Sequence, residues 1–155
     1  MNKKRIVVTG LGLVSCFGTD VNVFYQQLLA GKSGISPITA FPCEEYSTRF
    51  AGSVKDFDTG DYLDKKQARR VDKFIAYSIV AGKKALEHAQ LKGTALEHLI
   101  KERCGIVIGS GMGGMAMFAD GMQTLIEKGQ RKVSPFFVPY TLTNMGGAML
   151  GMEVG

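Results

Sequence analysis

The residues best suited to nucleophilic or metal chemistry are three cysteines, Cys16, Cys43 and Cys104, and two histidines, His88 and His98. Their spacing favours neither chemistry. There is no CxxC and no Cys/His pairing at ligand spacing, so no metal site is expected. Three widely spaced thiols, an odd number, fit reduced cysteines in a cytoplasmic protein. His88 and His98 fall at a helix end or in a loop beside Lys and Glu, and neither is close in sequence to a candidate nucleophile. Both are read as solvent-exposed and without a catalytic role.

Binding chemistry is better represented. Gly109-Ser110-Gly111-Met112-Gly113-Gly114 places four glycines within six residues, which lets the backbone approach a ligand or another segment without a Cβ in the way. A helix starting there would offer free N–H groups to an anion. No Lys-Ser/Thr pair follows, so it is not a P-loop. A packing turn is the competing reading. Met112 could line an adaptable apolar pocket, whereas Met115, Met117 and Met122 are expected in the core. Thr9-Gly10-Leu11-Gly12 invites a dinucleotide reading and fails it: Ser15 stands where the third glycine is needed, and no acidic residue closes a second strand.

Ser134-Pro135-Phe136-Phe137-Val138-Pro139 sets three large apolar side chains between two prolines, without helical period. These side chains belong in a core, a subunit interface or a ligand pocket. Asn144-Met145-Gly146-Gly147-Ala148-Met149-Leu150-Gly151 has small residues on several faces and suits close helix packing at a subunit contact. Lys66, Arg69, Arg70 and Lys73 follow i, i+3, i+4, i+7 spacing and would form one helical stripe. Arg131-Lys132 adds a second basic pair. A solvated face is one reading; capture of an acidic protein or a phosphate-bearing group is the other. No aromatic interleaving points to nucleic acid.

These residues need elements to hold them. The Arg5–Gly12 run reads as a central parallel strand, and Cys104–Ile108 as a second. Asp20 can cap a helix to about Ala30, with Gly31 as its stop. Residues 32–63 are turn-rich, with short extended pieces around 49–54. A long helix is expected from Lys65 to Gln90, a helical turn within 95–101, a helix from Gly113 or Gly114 to Lys128, and a last helix from Thr141 toward Met152. Alternating strands and helices give an α/β fold with a mainly parallel sheet, although two strong strands are too few to complete one. The 155 residues can bury a sizeable core, with 45% hydrophobic and 21% charged residues and a net charge of +5. Neither a signal peptide nor a membrane span is expected.

In this order, Arg5-Ile-Val-Val-Thr-Gly-Leu-Gly12, Leu29-Ala-Gly-Lys-Ser-Gly-Ile35, Phe50-Ala-Gly52, Val54-Lys-Asp-Phe57, Arg70-Val-Asp-Lys-Phe74, Gly109–Gly114, and Arg131-Lys-Val-Ser-Pro-Phe-Phe-Val-Pro139 with Asn144-Met145 resemble the β-ketoacyl-acyl-carrier-protein synthases. The type II enzyme of fatty-acid synthesis is the most similar. The resemblance covers the whole chain. It implies a thiolase-like layered α/β fold, with residues 1–155 as the N-terminal part of the N-terminal half, and a homodimer. It also implies decarboxylative condensation of an acyl-enzyme with malonyl-acyl-carrier protein, on a cysteine activated at a helix N-terminus and assisted by two histidines.

None of Cys16, Cys43 or Cys104 matches the nucleophile, whose segment would follow Gly155. Residues 1–155 alone are therefore expected to be inactive. By the resemblance, Met112 and Phe137 line the acyl pocket, while Lys66, Arg69, Arg70, Arg131 and Lys132 face the acidic acyl carrier protein. No cofactor is expected. A non-catalytic carrier-binding or chain-length subunit, and a polyketide-type ketosynthase, are the alternatives.

Overall fold

Asp20 accepts a hydrogen bond from the Val23 amide at 2.8 Å and starts α1 (Val21–Leu29), as its position before the apolar run predicts. This is seen in a computed structural model that describes residues 4–155. A minimal antiparallel pair follows: β1 (Ser36–Pro37) against β2 (Phe50–Ala51), with Ser36 opposite Ala51. Next come α2 (Lys65–Ala68), α3 (Lys73–His88), α4 (Thr94–Glu97), α5 (Met115–Lys128), α6 (Phe137–Thr141) and α7 (Met145–Val154).

The core is built on α3. Ile75, Ala76, Ile79 and Val80 are buried on one face. Burying each of the larger three is worth about 1.5–3 kcal/mol. Ile75, Ala76 and Ile79 pack with Leu63, Val71, Tyr140 and Met149. Helix α7 lies along α3 at close range. A Cβ on Gly146 would sit 2.7 Å from Ser78 Oγ, and one on Gly82 would strike Leu150. Of the glycines of 144–151, expected at a subunit contact, Gly146 thus serves a helix pair inside this chain, while Gly147 and Gly151 face Ile106. Lys83 adds polar anchors, donating to the Glu153 carboxylate at 2.6 Å and to the Tyr62 carbonyl at 2.8 Å.

Three expectations need correction. The single helix over 65–90 is interrupted at 69–72, because Asp72 leaves helical geometry (ψ 152°) and caps α3 through the Phe74 amide at 3.3 Å. Its other carboxylate oxygen accepts from Met117 N at 3.4 Å and ties this break to α5. The last helix, expected from Thr141, starts at Met145 as α7, and a separate short helix not expected there, α6, begins at Phe137 and contains Pro139. Pro139 lies in the first turn, where its missing N–H removes no intrahelical bond. Finally, Met115 is exposed rather than buried, while Met117 does pack against the core.

The two anticipated central strands are extended but unpaired. Residues 5–12 run along α3, with Gly10 against Ala85 and Ala89, and Gly12 against Ala81. Residues 104–108 run beside α7, with Ile106 and Ile108 over Gly147. Among the described residues the parallel sheet is not assembled; its would-be strands rest on a helical layer.

Candidate functional site

The glycine run ends in a junction that fixes the start of α5. Gly114 has φ 68° and ψ 11°, and a Cβ there would collide with the backbone of Thr141. Glycine is required on both counts. Gly113 abuts the Phe74 ring, with 3.0 Å available to a Cβ. The turn therefore clamps α5 between the first turn of α3 and the end of α6, and the packing reading of the glycines holds on this side. Met112, just before the clamp, points outward and is 72% exposed.

Phe137 is half-buried. Its ring stacks on Phe118 with centroids 5.7 Å apart and covers Gly121 of α5. Phe136 stacks on Tyr140 at 5.3 Å. Phe136, Val138 and Phe118 remain exposed, as do Leu125 and Ile126 further along α5. The segment 134–139 thus contributes partly to the core and partly to an apolar surface. Within this chain Met112 and Phe137 do not close a cavity together: neither lines the principal cleft, of about 890 Å³. That cleft lies between the extended runs and above α3 and α7, and includes Gly10, Ala85, Ile106, Ile108, Gly147 and Leu150.

The cations are arranged differently from the expected stripe. Lys66 is in α2, Arg69 is its C-cap, Arg70 is in the following turn and Lys73 opens α3. The break at Asp72 removes the single helical face but leaves all four side chains exposed. Arg131 and Lys132 are exposed in the 3-10 turn Gln130–Lys132, which packs on α5. Among the described residues none of these six forms a salt bridge, so their charge is available to an outside partner.

The cysteines lack activating surroundings. Cys43 is buried with Sγ 3.8 Å from the Ile38 carbonyl, Cys104 Sγ faces the Ile100 carbonyl at 3.4 Å, and Cys16 abuts Gly34. None is at a helix N-terminus, and none bonds a histidine. His98 is exposed in the C-cap of α4. His88, also exposed, has a role that its sequence context did not disclose: its Nδ1 accepts from the Leu11 amide at 2.9 Å, tethering the first extended run to the end of α3. Elsewhere, the Lys83 hydrogen bond holds the Glu153 carboxyl below the usual range, with help from Gln67. Donation to the Glu87 carboxylate pushes the Tyr62 hydroxyl up. Both are ties between elements. Among the described residues no group of three or more metal-ligating side chains occurs, and no helix is long and apolar enough to cross a membrane.

The sequence profile described as "Beta-ketoacyl synthase, N-terminal domain" matches residues 3–155. This chain belongs to that family. The β-ketoacyl synthase domain is 51% identical over 153 residues to 3-oxoacyl-[acyl-carrier-protein] synthase I, chloroplastic, of Arabidopsis thaliana, covering 99% of this chain and 32% of that one. It is 50% identical over 155 residues to 3-oxoacyl-[acyl-carrier-protein] synthase 2 of Vibrio cholerae, covering all of this chain and 37% of the relative. The synthase chain described here thus spans about a third of the length of the curated relatives it matches. Among solved structures, a type II polyketide ketosynthase in complex with its acyl-carrier protein superposes with a TM-score of 0.78 at 25% identity, covering 99% of this chain and 39% of that one. A β-ketoacyl synthase from Burkholderia phymatum gives 0.77 at 20% identity, covering 98% and 37%. The fold is that of the ketosynthases, and its parallel sheet is incomplete over these residues.

Proposed function

We propose that the whole protein is a type II 3-oxoacyl-acyl-carrier-protein synthase that elongates fatty acids, with residues 1–155 as the N-terminal part of its N-terminal half. The observation that carries this reading is the match of the family profile over residues 3–155, joined by 50% identity to a synthase 2 over the full chain. A cysteine supplied outside these residues takes the acyl group as a thioester. Malonyl-carrier protein loses CO₂, and the carbanion so formed attacks the thioester carbonyl, releasing the thiolate and leaving a 3-oxoacyl-carrier protein. Donors that hold the developing oxyanion lower the barrier.

The described residues serve binding in this scheme. Met112 and Phe137 border the acyl chain, with Phe137 held in place by Phe118. The exposed apolar surface of α5 and 136–138 contributes to a homodimer, and the acyl pocket is completed there. Lys66, Arg69, Arg70, Arg131 and Lys132 attract the acidic carrier protein, and their freedom from salt bridges among the described residues supports that role. Identities of 50–51% to proteins named 3-oxoacyl-[acyl-carrier-protein] synthase support this reading over the polyketide one, whose solved example is 25% identical.

The test uses the complete protein with acyl-carrier protein and malonyl-carrier protein, following the covalent acyl-enzyme by intact mass and the 3-oxo product by chromatography. An acyl adduct and product support condensation. A protein that binds carrier protein but acquires no acyl adduct is instead a non-catalytic subunit. Arg69→Glu with Arg70→Glu raises KM for acyl-carrier protein at least about tenfold, since like charges then oppose the partner. Turnover of a small acyl thioester changes less than about twofold. Equal loss with both substrates removes the docking role.

A further inference from the structure

Helices α1, α2 and α3 each start on an aspartate. Among the described residues, Asp20 and Asp64 each use a single oxygen and serve only their own helix: Oδ1 of Asp20 accepts from Val23 N, and Oδ1 of Asp64 from Lys66 and Gln67 N. Asparagine or serine would cap as well at either place. Asp72 is different. Its Oδ1 caps α3 at Phe74 N, 3.3 Å away, and its Oδ2 accepts from Met117 N of α5 at 3.4 Å. Of the short capping side chains, only aspartate offers two acceptor oxygens.

Helix α5 depends on that second oxygen. Its N-cap is Gly114, which has no side chain to offer and is held to glycine by its φ of 68° and by the Thr141 backbone. The first intrahelical bond of α5 runs from Phe118 N–H to the Gly114 carbonyl, so Met117 N–H is an orphan donor of the first turn. Asp72 satisfies it from 45 positions upstream. Negative charge is also favoured at the two helix N-termini that the carboxylate joins. Close by, the Phe74 ring abuts Gly113. The first turn of α3 thus holds the start of α5 twice, by a ring and by a carboxylate. Met112 directly precedes the held residues and is exposed; apart from the Ser110 hydroxyl on its carbonyl at 3.3 Å, its place follows theirs.

We propose that Asp72 is a positioning residue for acyl-chain selection: its second oxygen fixes where α5 begins, and so where Met112 stands against the acyl chain. It acts through Met112 rather than on the substrate. The inference rests on the reading of Met112 as pocket wall. With the second bond gone, the first turn of α5 frays and Met112 limits the chain less sharply.

The test uses the complete protein carrying Asp72→Asn or Asp72→Ser. Each keeps one acceptor for the α3 cap and gives up the second. In both, the Met117 amide is expected to exchange with solvent at least about tenfold faster, while amides of 77–80 within α3 change by less than about twofold. With methionine labelled on its methyl carbon, the Met112 resonance, identified through Met112→Leu, should shift or broaden. The ratio of kcat/KM between the longest and shortest acyl substrates should flatten by at least about threefold. Unchanged exchange at Met117 overturns the proposal whether or not the protein condenses acyl chains. An unmoved Met112 resonance does the same, and so does lost protection throughout α3 in both variants, which would make Asp72 a stability residue of that helix. Equal loss of kcat/KM at every chain length also overturns it. A profile moved by Met112→Phe but not by Asp72→Asn overturns the proposal alone. A profile moved by neither, or no condensation at all, overturns the reading of Met112 as pocket wall and the proposal with it.

Discussion

Replacing Gly114 with alanine probes the joint that sets the direction of α5. Two costs add. The left-handed conformation at φ 68° penalises a residue with a Cβ by about 1–2 kcal/mol. The added methyl also meets the Thr141 backbone, which a rotamer change cannot clear; a forced backbone shift of this kind costs about 1–3 kcal/mol. The sum is about 2–5 kcal/mol, a large share of a stability in the usual range of 5–15 kcal/mol. Urea denaturation followed by circular dichroism measures it, with Gly111→Ala as the control. Gly111 has negative φ and open space around its would-be Cβ, so its substitution should change stability by less than about 0.5 kcal/mol. A Gly114→Ala midpoint equal to that of Gly111→Ala would refute the close approach of α5 and α6. Equal midpoints would also remove the basis for placing Met112 and Phe137 on one shared scaffold.

Glu153 sets an acid limb in the stability profile. Its carboxyl titrates below its unfolded value of about 4.5 because Lys83 bonds the charged form. The stabilisation is therefore present in full above pH 4.5 and is lost as pH falls through the lower, folded value. Water reaches the pair, so its worth is about 1 kcal/mol or less. Denaturation midpoints across pH 3–7 should fall less steeply for Glu153→Gln than for the unmodified chain; parallel curves would show that the pair contributes nothing. Met112→Phe in the complete enzyme should shorten the acyl chains accepted. It should cut kcat/KM for the longest substrate by about tenfold or more, within the 1–3 kcal/mol that a misfit in an apolar pocket costs. An unchanged chain-length profile would refute the proposed pocket role of Met112.

Local chemistry made much of the fold legible. Asp20 before an apolar run and Gly31 after it bound α1 closely, and Gly129 ended α5 where expected. The helix over 65–90 was misjudged because its apolar period continues across 69–72. Asp72, two residues before Phe74, carries the capping signal there, and periodicity masked it. The cations remain exposed, but the spacing that grouped them described a helix that does not run through them. Pro139 likewise suggested an extended segment, although a first-turn proline is compatible with a helix.

The site was only partly readable. Motif residues singled out Met112, Phe137 and the basic positions as candidates, but not their surroundings. The ties of His88 to Leu11 and of Lys83 to Glu153 join residues 77 and 70 positions apart, a separation that no window along the chain can register. The β-branched runs were read as central strands, and among the described residues neither belongs to a sheet. Their pairing depends on partners that no local pattern contains.

The α3–α7 pairing also has a consequence in time. Lys83 and Glu153 are 70 residues apart in sequence, and synthesis proceeds at about 5–20 residues per second. Roughly 4–14 s thus separate the emergence of α3 from that of the helix that covers it, at those rates. During that interval the face bearing Ile75 and Ile79 is open on a nascent chain, next to β-branched runs that still lack partners. This is a period of exposure to aggregation. A chaperone that holds apolar helical faces would gain most by engaging the chain after α3 has emerged and releasing it once α7 has.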